Sequence, residues 1–265
     1  IQGQSTGTPN ICINLLKLLT IYMNDGIDPI DGKRKSGPVS LKKLEEYQTF
    51  EEFYDGYKAL LDYYLDLSVK AQYHSYEVMN QHVSFLFTSL LTDDCIARGK
   101  ALLDGGVRYL GGTNETYGNI NTSDSLWVIR DLVFNQKKYT LRQLNDAMLA
   151  NFNGYEALRK DCLNCDKYGN DLETADTMAN DLYEFVAKGV RNRGIAIGMQ
   201  YFLIVISNNQ LNTEWGNRTA ASPDGRLSCM YMNPANNPQG GANKSGPTAM
   251  LNSLAKFDAK YHGGS

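Results

Sequence analysis

The chain has 265 residues, 42% of them hydrophobic and 21% charged, with a formal net charge of -3. That length suits one large domain or two small ones, and the composition is that of a soluble globular protein. The slight acidity gives no support to nucleic-acid or anionic-membrane binding, which calls for a basic patch.

No apolar run approaches the roughly 18 to 20 residues of a membrane span. The opening IQGQSTGTPNICINLLK lacks the basic segment and cleavage site of a signal peptide. The cysteines, Cys12, Cys95, Cys162, Cys165 and Cys229, are odd in number and scattered. They argue against a disulfide framework and for a reducing cytoplasm.

The first element in chain order is NLLKLLTIYMNDG, residues 14–26, with helical apolar spacing and a stop at Asp25-Gly26. After a charged turn, a long helical region is expected over about 41–91, with Phe53, Tyr57 and Tyr64 in its core face. Residues 90–106 read as a helix capped by Thr92 or Asp93 and stopped by Gly105-Gly106. YLGGTNETYGNINTSDS, residues 109–125, reads as a long polar loop, after which Ser123 or Asp124 caps the helix DSLWVIRDLVFNQ. Thr140 caps the next helix, TLRQLNDAMLANFNGY; YEALRKDCLN, the turn KYGND and the amphipathic helix TADTMANDLYEFVAKGVRN follow.

Residues 195–207, IAIGMQYFLIVIS, differ in kind. They are apolar on both parities and rich in β-branched side chains, which suits a strand buried on both faces in a parallel sheet or barrel. The polar run NNQLNTEWGN begins where that strand ends. Ligands of α/β folds sit beyond the carboxyl ends of the strands. Asn208, Gln210, Asn212, Glu214 and Trp215 are therefore candidate site residues, with an ordinary hydrogen-bonded loop as the alternative. Helices outnumber strands, no internal repeat is present and no linker divides the chain, so an α/β fold is expected as a single domain over 1–265.

The sequence holds no nucleophile elbow, Walker A loop, dinucleotide fingerprint or His-Glu-x-x-His. His74, His82 and His262 are dispersed, and Cys162 to Cys165 form a lone C-x-x-C, so neither set predicts a metal site. The Asn-x-Ser/Thr sequons read as chance in an Asn-rich chain. Glu115 and Glu214 are the carboxylates best placed for polar pockets.

Five stretches carry a further signal: SLLTDDCIARGKALLDGGVRY, GNINTSDSLWVIRDLVFNQKKYTLRQLNDAMLANFNGYEALR, KYGNDLETAD, GNRTAASPDGR and NPQGGANKSGPTAMLNSLAKFD. They resemble, in order and spacing, the glycyl radical enzymes, the family of pyruvate formate-lyase, the glycerol and diol dehydratases and choline trimethylamine-lyase. The resemblance implies the helix-rich part of an α/β barrel of ten strands, two antiparallel half-barrels wrapped in helices. In that family a Gly-Cys-x-Glu loop and a radical-storing glycine loop meet inside the barrel. The resemblance places the cysteine a few residues before Ile1 and the glycine beyond Ser265. The expectation is an internal piece of a larger enzyme, without catalytic residues of its own.

The same resemblance implies no tightly bound cofactor but a protein glycyl radical, installed by a separate S-adenosylmethionine iron–sulfur activase. A cysteine thiyl would abstract a substrate hydrogen, and the substrate would lose water, an amine or a carbon fragment. Thr8, Asn10 and Cys12 would contact substrate just after the cysteine loop; Asn212, Glu214 and Trp215 would do so just before the Pro-Asp-Gly-Arg turn. Asp224 and Arg226 would tie that turn down, and Pro247-Thr248 would open a helix. Implied partners are a small polar substrate, the activase, and further copies of the chain in a homodimer or higher homo-oligomer, in the cytoplasm. A dehydratase or lyase stands ahead of formate C-acetyltransferase. The alternatives are an inert scaffold derived from this fold and, from the Asn- and Tyr-rich loops, a sugar- or peptide-binding module.

Overall fold

A computed structural model describes residues 11–199, 201–206, 209–258, 260 and 262–264. Strands β1 (Ile11–Asn14), β2 (Gly111–Tyr117), β3 (Tyr201–Ile206) and β4 (His262–Gly264) lie side by side in that order, every neighbouring pair parallel. Parallel neighbours need long crossovers, which helices fill. Between β1 and β2 run α1 (Leu15–Met23), α2 (Phe50–His82), α3 (Leu86–Leu90) and α4 (Cys95–Arg98). Between β2 and β3 run α5 (Asn119–Val128), α6 (Leu141–Leu149), α7 (Glu156–Asn164) and α8 (Glu173–Ala196); α9 (Asn209–Gly216) and α10 (Gly246–Ala255) precede β4. No helix among the described residues is long and apolar enough to cross a membrane.

Local chemistry sets the helix starts. Asn14 accepts the Lys17 amide at 2.9 Å, Thr49 that of Glu52 at 3.2 Å, and Thr140 that of Gln143 at 3.1 Å, each filling an orphan donor of a first turn. Gln143 returns the bond to Thr140, completing a capping box. The core is built on α2, whose Phe53, Tyr57, Leu60 and Leu61 are fully buried. Tyr22 of α1 meets Phe53 edge-on, with centroids 5.1 Å apart, and its hydroxyl bonds Tyr47 and the Phe53 carbonyl. Tyr57 reaches the carbonyl of Leu15 at 3.0 Å, pinning α2 to the end of β1.

Several expected boundaries move. The long helical region over 41–91 is a short 3-10 turn, then α2, which stops at His82 because Ser84 and Phe85 take left-handed backbone. Residues 90–106 are not one helix: Asp94 is left-handed, and Gly99 and Gly105 turn the chain again, leaving only α4 and a 3-10 turn over Leu102–Asp104. Neither Thr92 nor Asp93 caps it; the Thr92 hydroxyl donates back to Thr88 at 2.8 Å. The helix expected to start at Ser123 or Asp124 starts at Asn119 instead, with both residues inside it. The strand expected over 195–207 is shorter, because α8 runs on through Ile195 and Ala196 and Gly198 then turns at φ +84°. The polar run that follows β3 is α9, not a loop.

The largest revision concerns residues 109–125. Gly111 to Tyr117 form β2, which pairs with both β1 and β3, and the polar segment after it is α5. Gly118 makes the turn between them at φ +67°, where an added Cβ would lie 2.9 Å from Leu16 Cβ, so a side chain is excluded on both counts. In α5, Asn119, Asn121, Thr122, Ser123, Asp124 and Ser125 are all buried. The partners of Asn119, Asn121 and Ser125 lie far along the chain, in the stretch 218–246, whereas Thr122 and Ser123 donate to the carbonyls of Gly118 and Ile120 and Asp124 accepts the Tyr168 amide. Asn121 and Asn233 exchange side-chain-to-backbone bonds of 3.1 and 2.7 Å, and Asn121 also donates to Asp224 at 2.6 Å. Asn119 bonds Asn236 and Asn233, and the Ser125 hydroxyl accepts the Asp224 amide. That network orders the long polar stretch, and Arg226 closes its turn by donating to the carbonyls of Thr219, Ala220 and Met230.

Candidate functional site

The sheet has two unlike faces, and the register assigns residues to each. Ile11 and Ile13 stand opposite Asn114 and Thr116 on the face packed against helices, where Asn114 donates to Ser68 of α2 at 2.9 Å. Cys12 stands opposite Glu115, and Asn14 opposite Tyr117, on the other face. Thr113, Glu115 and Tyr117 thus form a period-two row along β2 that ends at the carboxyl edge of the sheet.

Those side chains contact one another. The Tyr117 hydroxyl donates to Glu115 at 2.6 Å, a short bond to a carboxylate. The Cys12 thiol donates to the same oxygen at 3.6 Å. Although the Cys12 side chain is open to solvent on one side, desolvation on the other, with the Glu115 charge, pushes its thiol up to about 11. It therefore stays a protonated hydrogen-bond donor at neutral pH. The Tyr117 ring packs on Trp215 of α9, centroids 5.4 Å apart, over Leu16, Leu211 and Met232. An acceptor, two donors and an aromatic wall thus meet at one rim.

A second set of bonds holds that rim in place. Asn14 donates to Thr219 at 2.9 Å, and Lys17 donates to the Arg218 carbonyl at 2.7 Å while pairing with buried Asp28 at 2.7 Å. The carbonyl of Asn212, a residue 2% exposed, accepts the Met232 amide. Strand β1 and the segment after α9 are thereby tied together across the carboxyl end of the sheet.

The sequence-based candidates separate in space. Thr8, Asn10 and Asn208 lie outside the described residues. Cys12 and Trp215 reach the rim, and Asn212 is buried behind it. Glu214 turns to solvent, where it pairs with Arg218 at 2.8 Å. Of the two carboxylates singled out for polar pockets, Glu115 occupies one. Tyr117 was not among the candidates; the alternation Thr113-x-Glu115-x-Tyr117 is the strand signal that points to it. No cluster of His, Cys, Asp and Glu capable of holding a metal ion occurs among the described residues. Cys162 lies in α7 and Cys165 at its C-terminal cap, and burial pushes their thiols up to about 12 and about 11, so they are poor metal ligands and nucleophiles.

Comparison with known proteins identifies the family. The sequence model of the family described as Pyruvate formate lyase-like matches residues 1–211. Trans-4-hydroxy-L-proline dehydratase of Clostridioides difficile is 31% identical over 253 residues, covering 95% of this chain and 32% of the relative. The structure of hydroxyproline dehydratase from Clostridioides difficile with trans-4-hydroxy-L-proline bound superposes with a TM-score of 0.88 at 30% identity, over 96% of this chain and 32% of that one. The glycerol-bound B12-independent glycerol dehydratase from Clostridium butyricum gives 0.86 at 28% identity, over 93% and 31%. The chain therefore spans about a third of the length of the curated relatives it matches.

Proposed function

The chain belongs to the pyruvate formate lyase-like family of glycyl radical enzymes, and from that premise we propose that it builds the substrate-facing wall of a radical dehydratase for a small hydroxylated compound. The observation that carries this reading is the Cys12–Glu115–Tyr117 cluster on the face of the sheet away from the helices. In the proposal that face is the inner wall of the barrel. The relatives support the choice of dehydratase: their names give hydroxyproline, glycerol and (2S)-3-sulfopropanediol as what they act on.

The radical, installed by a separate activase that uses S-adenosylmethionine and an iron–sulfur cluster, supplies hydrogen abstraction from substrate. This chain's residues do the polar work. Glu115 accepts a substrate hydroxyl, and Tyr117 and Cys12 hold its carboxylate in position. Dehydration must deliver a proton to the departing hydroxyl oxygen; on a diol, Glu115 would take it from the substrate hydroxyl it binds beside the radical carbon and pass it to the departing oxygen, so that water leaves and the carboxylate is restored. Trp215 and the Tyr117 ring keep water from the reacting carbon. Of the candidates, Cys12 and Trp215 contact substrate, whereas Asn212 positions the α9 corner from behind. Thr8 and Asn10 would extend the same rim, and Glu214 would act only where another part of the enzyme covers it.

The test is anaerobic turnover. The polypeptide carrying this sequence, activated until its glycyl radical is seen by electron paramagnetic resonance, is offered trans-4-hydroxy-L-proline, glycerol and 1,2-propanediol. Loss of water from one of them is expected. A full radical signal with no dehydration of any of the three contradicts the proposal.

A further inference from the structure

The long polar stretch 218–246 also encloses a space of its own. Between it, α5 and α7 lies a cavity of about 360 Å³, and none of its lining residues belongs to the sheet or to α9. Four basic side chains, Arg159, Lys167, Arg226 and Lys244, line it against two carboxylates, Asp124 and Asp224. Asp224 is already engaged by Asn121, Ser222 and the Arg226 amide. The cavity is thus left with an excess of positive charge.

Two of its buried side chains each leave one polar atom without a partner among the described residues. Arg226 is 5% exposed and Asp124 1%, yet Arg226 Nε and Asp124 Oδ2 make no hydrogen bond among the described residues. An unpaired buried donor on a cation costs more than an ordinary hydrogen bond contributes, so a ligand or water belongs there. At the mouth, exposed Lys244 has no carboxylate partner among the described residues, and Arg159 uses its Nε on the Gly225 carbonyl at 2.9 Å, leaving its other guanidinium nitrogens uncommitted. Gly240 leaves room for the Tyr231 hydroxyl on one wall, where an added Cβ would lie 2.1 Å from it.

We propose that this cavity is a binding site for a small oxyanion, a carboxylate or phosphate group, held by Arg226 Nε, Arg159 and Lys244 and capped by Asp124. Arg226 would meet the anion from the buried end, and Arg159 and Lys244 from the open end. Asp124 takes the donor role because burial raises its carboxyl to about 7, with Asp224 and Asp176 adding to the rise and Lys167 opposing it. Below that value it carries the proton that faces the anion. The site is separate from the Glu115 rim, so it stands or falls independently of the dehydratase reading.

The experiment is isothermal titration of the full chain, in slightly acidic buffer, with inorganic phosphate and, separately, sodium acetate. Arg226 is left intact because it holds the loop; the variants are Lys244→Glu and Arg159→Gln, at exposed and half-buried positions. Saturable binding of at least one probe is expected, weakened about tenfold or more in each variant, the loss that follows from removing one charge-assisted hydrogen bond. Which probe binds more tightly identifies the anion type. Circular dichroism matching that of the unmodified chain shows that the variants are folded. Absence of binding by both probes, or equal binding by the unmodified chain and both folded variants, overturns the proposal.

Discussion

Two helices bury their inward faces by different physics. In α2 the inward face is mostly aromatic and aliphatic, and Phe53, Leu60 and Leu61 pack without needing a partner of any one geometry. α5 buries Ile120, Leu126 and Val128, but its other buried residues are Asn, Thr, Ser and Asp, each of which is tolerable inside only with a specific bond. Apolar burial is non-directional and repeats at helical period. Polar burial is directional, and for Asn119, Asn121 and Ser125 the partners lie about a hundred residues along the chain, as in the pair Asn121 and Asp224, separated by 103 positions.

The largest effect should come from breaking the apolar side. Phe53→Ala removes a fully buried ring that touches Tyr22, Tyr47 and Phe134. Denaturant unfolding should show a loss of about 3–5 kcal/mol. A loss under about 1 kcal/mol would mean the aromatic cluster does not set stability.

The polar side should respond to pH where the apolar side does not. Burial holds the Asp124 carboxyl at about 7 when folded, against about 3.9 in an unfolded chain. A raised folded value means that the contribution is fully present below the unfolded value and disappears as pH rises through the folded one. Asp124→Asn keeps an acceptor for the Tyr168 amide but has no charge to bury. The unmodified chain should therefore lose about 2–4 kcal/mol relative to this variant between acid and neutral pH, read as diverging denaturation midpoints. Parallel midpoints would show that Asp124 ionises without penalty.

The smallest effect marks the baseline for both. Glu214 and Arg218 form an exposed pair one helical turn apart. Glu214→Ala should shift stability by no more than about 0.5 kcal/mol. A larger shift would show that the α9 corner depends on that pair and not on the Tyr117–Trp215 stack.

The same contrast explains what the sequence revealed. The helical spacing of α1, the core face of α2, the Thr140 cap and the apolar β3 were all legible, because each depends on neighbours in the chain. The quoted motifs led to the family and its barrel. Residues 109–125 were not legible: strand β2 has polar residues on both faces, and α5 buries a run that local rules assign to solvent. Their bonds to 233, 236 and 224 cannot be seen from spacing. The same reason hid Tyr117, which looked like a loop residue until β2 was a strand. Glu214, a candidate from its place after the apolar strand, is carried to the solvent side of α9, where it pairs with Arg218.

The central claim is that the Glu115 face of the sheet looks onto the reacting substrate. The most direct measurement is kcat/KM of the activated enzyme carrying Glu115→Gln, with the glycyl radical quantified in the same samples by electron paramagnetic resonance. The account predicts a fall of about a hundredfold or more with the radical content unchanged, the size expected when a positioned proton carrier is lost. An unchanged kcat/KM at equal radical content would contradict it.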